Sequence, residues 1–364
     1  MRTVAVIILS AILAVVLVAC QSIPVSDAPR TPATPDIGVA MPTQSIQCWE
    51  QDGQDIKKQL ESKGYSVDLQ YADQYASNQS TQIQDMLARG CKVLVVALYD
   101  SGALHTVLAK AKAAGVTVIA YHFPIMNAAD VDYYVAFDAF RRSALQAEYI
   151  EKALGVKDGK GPFNIELFTG SPDDGNIGFF YEGAMSVLRP YIESGRLVVK
   201  SGQVDLMQVG TWGYKTEKAK ARMDDILKRY YTGDKLDAVL ALTDGIASGV
   251  IASLEDAGYT RFPIITGMDC EKPNVLAMKA GKQSMSVFLD THILTAKVVE
   301  VVDAVMTGRE VPPTSTAEHR SNGRTFVMSH HVPSFLCDPA VVTVDNIRQV
   351  LVDGGYYTEA ELEE

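Results

Sequence analysis

The sequence predicts an α/β fold built from doubly wound parallel sheets. From Ile37 onward, short β-rich apolar runs alternate with amphipathic helical windows, and that rhythm places parallel strands between two layers of helices. The helical windows are clear where Leu104, Leu108 and Ala111 follow the i, i+4, i+7 spacing. With 364 residues, 47% of them hydrophobic, the chain is long enough for two domains with ample core.

The first twenty residues (1–20) have the layout of a secretory signal. Arg2 precedes an apolar run from Val4 to Ala19 that includes one polar side chain, Ser10. The run is short for a membrane span, which needs roughly 20 residues, and its layout is typical of an export signal. Because the ending Leu17-Val18-Ala19-Cys20 resembles a bacterial lipobox, we expect a lipidated Cys20. A plain signal peptide with a chance cysteine is the alternative.

Residues 21–36 predict a tether. This stretch contains four prolines and almost no large apolar side chains, so it cannot bury enough surface to fold. It is expected to be semi-extended.

The apolar runs after the tether predict the strands of the sheets. Each is a short β-rich stretch that a helical window follows. The predicted strands are Ile37–Met41, Val93–Leu98, Val116–Tyr121, Tyr133–Phe137, Asn164–Phe168, Leu197–Ser201, Ala238–Leu242, Phe262–Thr266 and Ser284–Leu289.

Polar residues recur where these strands end, and the clearest case is the strand, loop and helix pattern of Asn164–Ser186. Ligands of open α/β sheets bind at the carboxyl ends of strands, although an aspartate there is also a frequent helix cap. We expect two or three of these aspartates to be caps only. The strand ends are Tyr99-Asp100, Tyr121-His122-Phe123, Phe137-Asp138, the 173–176 loop, Thr243-Asp244-Gly245, Met268-Asp269 and Asp290.

Charge and motifs exclude several classes of function. The net charge of −11 disfavours nucleic acid and anionic membrane surfaces as partners, because both need a basic footprint. The chain lacks the motifs of serine hydrolases, zinc proteases and nucleotide-binding loops. Its five cysteines and the pair His330-His331 show no zinc spacing, so no metal and no cofactor is expected. A catalytic pair of carboxylates stays open, because the separation of such a pair is a spatial quantity.

Several acceptors together with aromatic side chains suit a polyhydroxyl ligand. Carboxylates accept hydrogen bonds from hydroxyl groups, and flat rings cover the apolar face of a sugar.

Six segments of the chain carry a likeness to a known family: Ile37–Thr43, Leu69–Asp73, Gly159–Phe168, Ser171–Asp174, Gly183–Leu188 and Val350–Tyr357. They resemble bacterial periplasmic sugar-binding proteins of the type I fold, the ribose, galactose and xylose receptor class that feeds ABC transporters. Within that class the chain is similar to receptors that bind several monosaccharides. The likeness spans Ile37 to Leu362.

The resemblance implies two doubly wound parallel-sheet lobes joined by a three-strand hinge, with the sugar held between them. It implies an N-terminal lobe of residues 37–139 plus 270–324 and a C-terminal lobe of residues 140–269 plus 325–364. The implied sugar contacts are Trp49, Asp138, Asp174, Asn176, Tyr214, Asp244, Asp269 and Asp290. His122 and Phe123 are predicted to line the same pocket, at positions where the chain departs from the family.

The chain departs from the family pattern mainly in the first lobe. Cys48 stands where the family has Arg, His122-Phe123 where it has Asp-Arg, and Ala139 where it has Asn. Removing three ionic groups and one amide predicts a ligand with a less polar or bulkier end, such as a deoxy or methylated sugar, a glycoside or a nucleoside. The alternative is that waters or neighbouring side chains fill in and an ordinary pentose or hexose binds.

The first hypothesis is a lipid-anchored receptor that delivers a monosaccharide or sugar derivative to an ABC permease, and possible further partners include a chemoreceptor. A transcription regulator of the lactose-repressor type shares the implied fold, but it would carry an N-terminal helix-turn-helix where this chain has a predicted export signal. A secreted enzyme acting on carbohydrate is the third hypothesis. Turnover of oligosaccharides would favour the enzyme.

Overall fold

The computed structural model describes residues 34–363 except 46, 74, 99–100, 126–128, 175, 314, 317–319, 322–323 and 326–331. Pro35–Glu364 forms one compact unit. The predicted signal, nearly all of the tether and His330-His331 lie outside the described residues, so lipidation of Cys20 stays a prediction. Within the described ranges, every helix falls short of the length and apolar character that a membrane crossing requires.

Strands and helices alternate through most of the described chain. The strands are β1 (Ile37–Met41), β2 (Val67–Tyr71), β3 (Val93–Val96), β4 (Thr117–Tyr121), β5 (Tyr133–Phe137), β6 (Phe163–Phe168), β7 (Leu197–Val198), β8 (Ala238–Ala241), β9 (Ile264–Ile265), β10 (Ser286–Phe288), β11 (Ser315–Thr316), β12 (Arg320–Ser321), β13 (Arg324–Thr325), β14 (Pro333–Cys337) and β15 (Ala340–Val342). The α-helices are α1 (Gln47–Ser62), α2 (Ala76–Ala88), α3 (Ser101–Ala113), α4 (Ala139–Leu154), α5 (Ile177–Glu193), α6 (Leu206–Val209), α7 (Thr216–Tyr230), α8 (Asp244–Asp256), α9 (Lys272–Lys279) and α10 (Thr291–Thr307). Short 3₁₀ turns occupy Val156–Asp158, Trp212–Tyr214 and Ala360–Leu362, and a π-helix occupies Arg348–Val352.

The first sheet has the strand order β11-β14-β5-β4-β3-β1-β2. Strands β1 to β5 and β14 run parallel, and only β11 is antiparallel to its neighbour. Both faces of the sheet are covered, as the sequence predicts for parallel strands. Ile56 of α1 and Val298 of α10 pack on one face, and Ile83 of α2 and Leu104 of α3 pack on the other.

The second sheet repeats this arrangement with the strand order β7-β6-β8-β9, all parallel. Met223 of α7 and Val250 of α8 belong to the core on one face. Ile150 of α4 and Leu188 of α5 belong to the core on the other face. The prediction of two doubly wound parallel-sheet lobes is therefore confirmed.

Strand pairing shifts two of the predicted lobe boundaries. Bridge pairing of Met268 with Val287, together with the antiparallel pair β10–β15, keeps residues 270–288 beside the second sheet. Strand β14, predicted for the C-terminal lobe, instead pairs in parallel with β5 of the first sheet. Within the described residues the chain therefore passes between lobes at 137–139, 288–291 and 337–340.

Candidate functional site

Three aromatic rings form a wall on the first lobe. Trp49, on the first turn of α1, is 8% exposed, and its ring lies 5.1 Å from His122 and 5.8 Å from Phe123. The rings of His122 and Phe123 are 4.7 Å apart at 67°. Such edge-to-face contacts fix the rings relative to one another. The structure thus brings together three of the residues predicted from the sequence.

A tight turn after β4 positions His122 and Phe123. His122 has φ of 67°, a left-handed conformation that side chains with Cβ rarely adopt. The turn is held because His122 N–H donates to the Val135 carbonyl at 2.8 Å and Phe123 N–H donates to the Tyr121 carbonyl at 2.7 Å. The Nδ1 atom of His122 is buried without a partner among the described residues. Burial and the charge of Arg142 lower the pKa of His122 to about 3, so the ring is neutral.

A buried acid that sequence reasoning missed lies behind the aromatic wall. Asp52 is 1% exposed and accepts a hydrogen bond from the Tyr121 hydroxyl at 2.8 Å. Its Oδ1 atom is buried with no partner in the described part of the chain. Burial raises the pKa of Asp52 to about 6. Its position one turn after Cys48 on α1 is the only signal the sequence offers.

The second lobe contributes Asp174, Asn176 and Tyr214. Asp174 lies in the loop between β6 and α5, where its Oδ1 accepts the Asn176 N–H at 2.7 Å and its Oδ2 accepts the Tyr214 hydroxyl. Burial and the neighbouring Asp174 raise the pKa of Tyr214 well above its usual range, so the phenol stays protonated. The Asn176 side chain does not cap α5 and is left for other contacts.

Gly170 makes room for the Tyr214 ring. A Cβ at this position would lie 2.3 Å from the ring, which is far inside van der Waals contact. The tyrosine itself has φ of 55°. The loop is thus built so that the Tyr214 ring lies against the backbone after β6.

Asp269 is the carboxylate that the fold leaves open. Its backbone has φ of 103°, and its N–H is held by the Val287 carbonyl at 2.9 Å. No described residue donates a hydrogen bond to its side chain. Burial raises the pKa of Asp269 to about 6 against the opposing effect of Arg142. A strained, half-buried acceptor without a protein donor is suited to bind hydroxyl groups of a ligand.

Asp244 is placed differently. It is fully buried, and its Oδ1 accepts hydrogen bonds from Gln283 Nε2 at 2.8 Å and Ser286 Oγ at 2.9 Å. Its Oδ2 accepts from the Glu271 N–H at 2.9 Å. Burial raises the pKa of Asp244 to about 8. This geometry favours a residue that positions the Met268–Glu271 segment, including Asp269, over one that touches a ligand directly.

Asp138 and Asp290 both cap helices. Asp138 Oδ1 accepts from the Arg141 N–H at 3.0 Å at the start of α4, and Asp290 Oδ1 accepts from the His292 N–H at 3.0 Å at the start of α10. The sequence predicts that some of the strand-end aspartates serve this purpose. Each cap occupies one carboxylate oxygen, so the second oxygen is free of this bond.

Arg142 connects the predicted residues and was not found from the sequence. It lies in the first turn of α4 and is 5% exposed. Burial lowers its pKa, whereas Tyr134 and the carboxylates Asp269, Asp138 and Asp174 favour its charged form. The same charge acts on His122 of the first lobe. Residues of both lobes therefore face one guanidinium.

The described residues contain no group of three or more His, Cys, Asp or Glu side chains arranged to hold a metal ion. The four cysteines among them, Cys48, Cys91, Cys270 and Cys337, are free thiols.

Comparison with known proteins gives a consistent result. The periplasmic binding protein domain family matches residues 37–310. The chain is 47% identical over 330 residues to the multiple sugar-binding periplasmic receptor ChvE of Rhizobium radiobacter. The aligned region covers 90% of this chain and 92% of that receptor. It is 48% identical over 332 residues to the multiple sugar-binding periplasmic protein SbpA of Azospirillum brasilense, covering 90% and 91%.

A solved structure agrees with these relatives. An ABC transporter solute-binding protein from Clostridium phytofermentans with bound β-D-glucose superposes with a TM-score of 0.76 at 48% identity, covering 90% of this chain and 99% of that one.

Proposed function

The chain belongs to the periplasmic binding protein domain family, and on that premise we propose that it is the sugar-binding receptor of an ABC transporter. Proteins of this kind bind a solute and do not transform it, so the chain is a binding protein and not an enzyme. Relatives named for binding several sugars, at 47% and 48% identity over nine-tenths of the chain, support a monosaccharide or a close derivative as the ligand.

The open carboxylate of Asp269 is the observation that carries this proposal. A polyhydroxyl ligand offers hydroxyl donors and apolar C–H faces, and it needs acceptors and flat rings in return. Asp269 and the second oxygens of Asp138 and Asp290 supply acceptors. Trp49 and Phe123 supply rings.

Further contacts complete the proposed site. Asp174, Asn176 and Tyr214 bind from the second lobe, and His122 offers one polar atom from the first. Asp244 acts on the ligand through Asp269, because its carboxylate is occupied by three protein donors.

Closure of the two lobes accompanies binding in this proposal. Predicted contacts lie on both lobes, with Trp49 on the first and Asp174 on the second. A ligand that touches both favours the closed arrangement by its difference in affinity between the two states.

Export and anchoring are part of the proposal. The relatives are periplasmic proteins by name, and the Leu17–Cys20 stretch supports lipidation at Cys20. The membrane is then a partner through the lipid anchor only. An ABC permease is the proposed recipient of the ligand, and a chemoreceptor is a further candidate partner.

The aromatic wall also supports a second ligand class. Trp49, His122 and Phe123 lie close enough to cover one flat group, as a nucleobase or the aglycone of a glycoside would require. A nucleoside or glycoside receptor is therefore the alternative.

Titration calorimetry of the ligand-free protein tests the proposal. The ligands are D-glucose, D-galactose, D-xylose, L-arabinose, L-fucose and adenosine, each against wild type and Asp269→Asn. The control is Asp256→Asn, whose side chain is 69% exposed and paired with Lys220. We expect tight binding of at least one sugar and a loss of about 10- to 150-fold in Asp269→Asn only, the value of a hydrogen bond to a charged group. Binding of adenosine alone would favour the alternative, and no binding at all would contradict the proposal.

A further inference from the structure

Arg142 is too well buried and too poorly satisfied to be explained by packing. The guanidinium carbon lies 5.7 Å from the Phe137 ring centre and 5.8 Å from that of Phe180, so aromatic rings cover it. Its Nη2 donates to the Phe137 carbonyl at 3.2 Å. Its Nε is buried with no partner among the described residues. An arginine has five N–H donors, and leaving a charged donor unsatisfied inside a protein is costly.

The carboxylates around Arg142 stand apart from it. Asp138, Asp174 and Asp269 all favour its charged form, yet no described carboxylate forms a salt bridge with it. The first-lobe His122 repeats the pattern, since its Nδ1 is also buried and unpartnered. Buried polar atoms of both lobes thus lack a partner among the described residues, and the charge of Arg142 acts across the lobes on His122.

We propose that Arg142 is a ligand-binding and specificity-determining residue of the cleft, donating through its guanidinium to an acceptor oxygen of a neutral pyranose that lies between it and Asp269. This inference rests on the proposed sugar-binding function and adds to it a residue and a ligand class. The guanidinium of Arg142 and the open carboxylate of Asp269 are the two ends of the proposed site.

The pairing of these groups selects the ligand. A guanidinium only donates and a carboxylate only accepts, so the ligand must present an acceptor oxygen to Arg142 and hydroxyl groups to Asp269. The ring oxygen and hydroxyls of a pyranose meet both demands. An anionic sugar is disfavoured, because Asp138, Asp174 and Asp269 already balance the single charge of Arg142 and would repel a further carboxylate.

Arg142 also bears on the departures found in the sequence. Cys48 and Phe123 remove guanidinium groups from the first lobe, which predicts a bulkier or less polar ligand. Arg142 supplies a guanidinium from α4 instead. Arg142 thereby replaces the guanidinium groups that the first lobe lacks, and an unmodified aldose becomes the expected ligand.

Calorimetry on variants tests the inference, and Arg141 provides a matched control. Arg141 is adjacent in sequence, but its side chain is 41% exposed and pairs with Glu148 on the surface. The probe is whichever of D-glucose, D-galactose, D-xylose and L-arabinose binds wild type most tightly, with D-glucuronate as the anionic counterpart. We expect Arg142→Met to weaken aldose binding by about 10- to 150-fold, Arg141→Met to change it less than about twofold, and D-glucuronate to bind wild type far more weakly than the aldose.

A pH profile separates ligand binding from a purely structural role. Asp269 must be ionised to accept two hydroxyl donors, so wild-type binding should weaken as pH falls through about 6. Without Arg142 the pKa of Asp269 rises further, and the midpoint should move to higher pH in Arg142→Met but stay in place in Arg142→Lys. The groups that face Asp269 electrostatically are Arg142, Glu271, Asp244, Cys48, Cys270, Tyr214 and Tyr356.

Direct observation of the guanidinium covers the case in which Arg142→Met does not fold. In ¹⁵N-arginine-labelled wild type, the Nε–H resonance assigned by its loss in Arg142→Lys should shift on saturation with the aldose. An unshifted resonance, or unchanged affinity in folded Arg142 variants, would overturn the inference while leaving sugar binding intact. Binding of only D-glucuronate or adenosine would overturn the ligand class, and binding of only L-fucose would overturn the expectation of an unmodified aldose. Absence of any sugar binding would instead refute the proposed function.

Discussion

Replacing Asp269 with asparagine should stabilise the ligand-free protein while weakening ligand binding. The fold holds this carboxylate half-buried at φ of 103° without a protein donor. Asparagine keeps the size and shape of the side chain but carries no charge, so it resembles the protonated acid. A residue kept for binding should therefore show a cost in stability.

The magnitude follows from the pKa. Burial raises the pKa of Asp269 from 3.8 to about 6, and about two pH units correspond to about 3 kcal/mol. Because the pKa is higher in the folded state, the folded protein binds the proton more tightly than the unfolded chain does. The free energy of unfolding thus falls as pH rises from about 4 to about 6, and the full cost is present above that range. Partial solvation of the side chain makes about 3 kcal/mol an upper bound.

Urea unfolding of ligand-free protein at pH 8 and pH 4 measures the effect. Asp269→Asn should be more stable than wild type by up to about 3 kcal/mol at pH 8, and the difference should vanish near pH 4, where the wild-type carboxylate is protonated in the folded state. Asp256→Asn, at an exposed site, should show neither change. If Asp269→Asn is less stable than wild type at pH 8, the carboxylate has a stabilising partner and the reasoning is refuted.

Three further predictions concern the network, the closure and the anchor. Gly267→Ala places a Cβ 2.0 Å from Asp244 Oδ1 and 2.4 Å from Gln283 Nε2, so it should lower the free energy of unfolding by about 1 to 3 kcal/mol. Gly233→Ala is the control, because its Cβ would meet nothing within 4 Å. Equal urea midpoints for the two variants would show that the hydrogen bonds around Asp244 do not stabilise the fold. Small-angle scattering should show a smaller radius of gyration with saturating sugar, and an unchanged radius would argue against closure. Cys20→Ser should abolish the acyl mass and yield either a soluble protein or an unprocessed one. Wild type found free in the medium without that mass would count against lipidation.

The sheet framework could be predicted from the sequence because buried parallel strands are continuous apolar runs. Each of the nine predicted strands overlaps an observed strand, and Ile37–Met41 and Tyr133–Phe137 agree at both ends. Two of the longer strands that were missed lack this signal. Val67–Tyr71 alternates polar and apolar residues and is half-buried throughout, and Pro333–Cys337 begins with a proline, which strands tolerate at their first residue.

The sequence singles out the candidate site residues but does not separate their roles. Sequence position alone does not distinguish Asp269 from Asp244, because both follow strands of the second sheet. Their difference lies in Gln283, Ser286 and the Glu271 N–H, which reach Asp244 from other elements. Hydrogen bonds between distant segments are set by tertiary packing and leave no local pattern.

Arg142 is a residue that the sequence does not single out at all. In sequence it is one of two adjacent arginines in an amphipathic helix, and nothing separates it from Arg141. The rotation of α4 buries one and exposes the other. The packing of Phe137 and Phe180 around the guanidinium distinguishes Arg142 from Arg141, and this packing leaves no pattern in the local sequence.

Occupancy of the cleft by a sugar can be measured by mass spectrometry of the small molecules released on denaturing the purified, undialysed protein. Wild type and Asp269→Asn are compared at equal protein concentration, with Asp256→Asn as the control. We predict a neutral monosaccharide at close to one molecule per chain from wild type and Asp256→Asn, and much less from Asp269→Asn. Release of a nucleoside, an amino acid or an anionic compound in stoichiometric amount would show that the cleft does not hold a neutral sugar, and equal release from Asp269→Asn would show that Asp269 does not bind it.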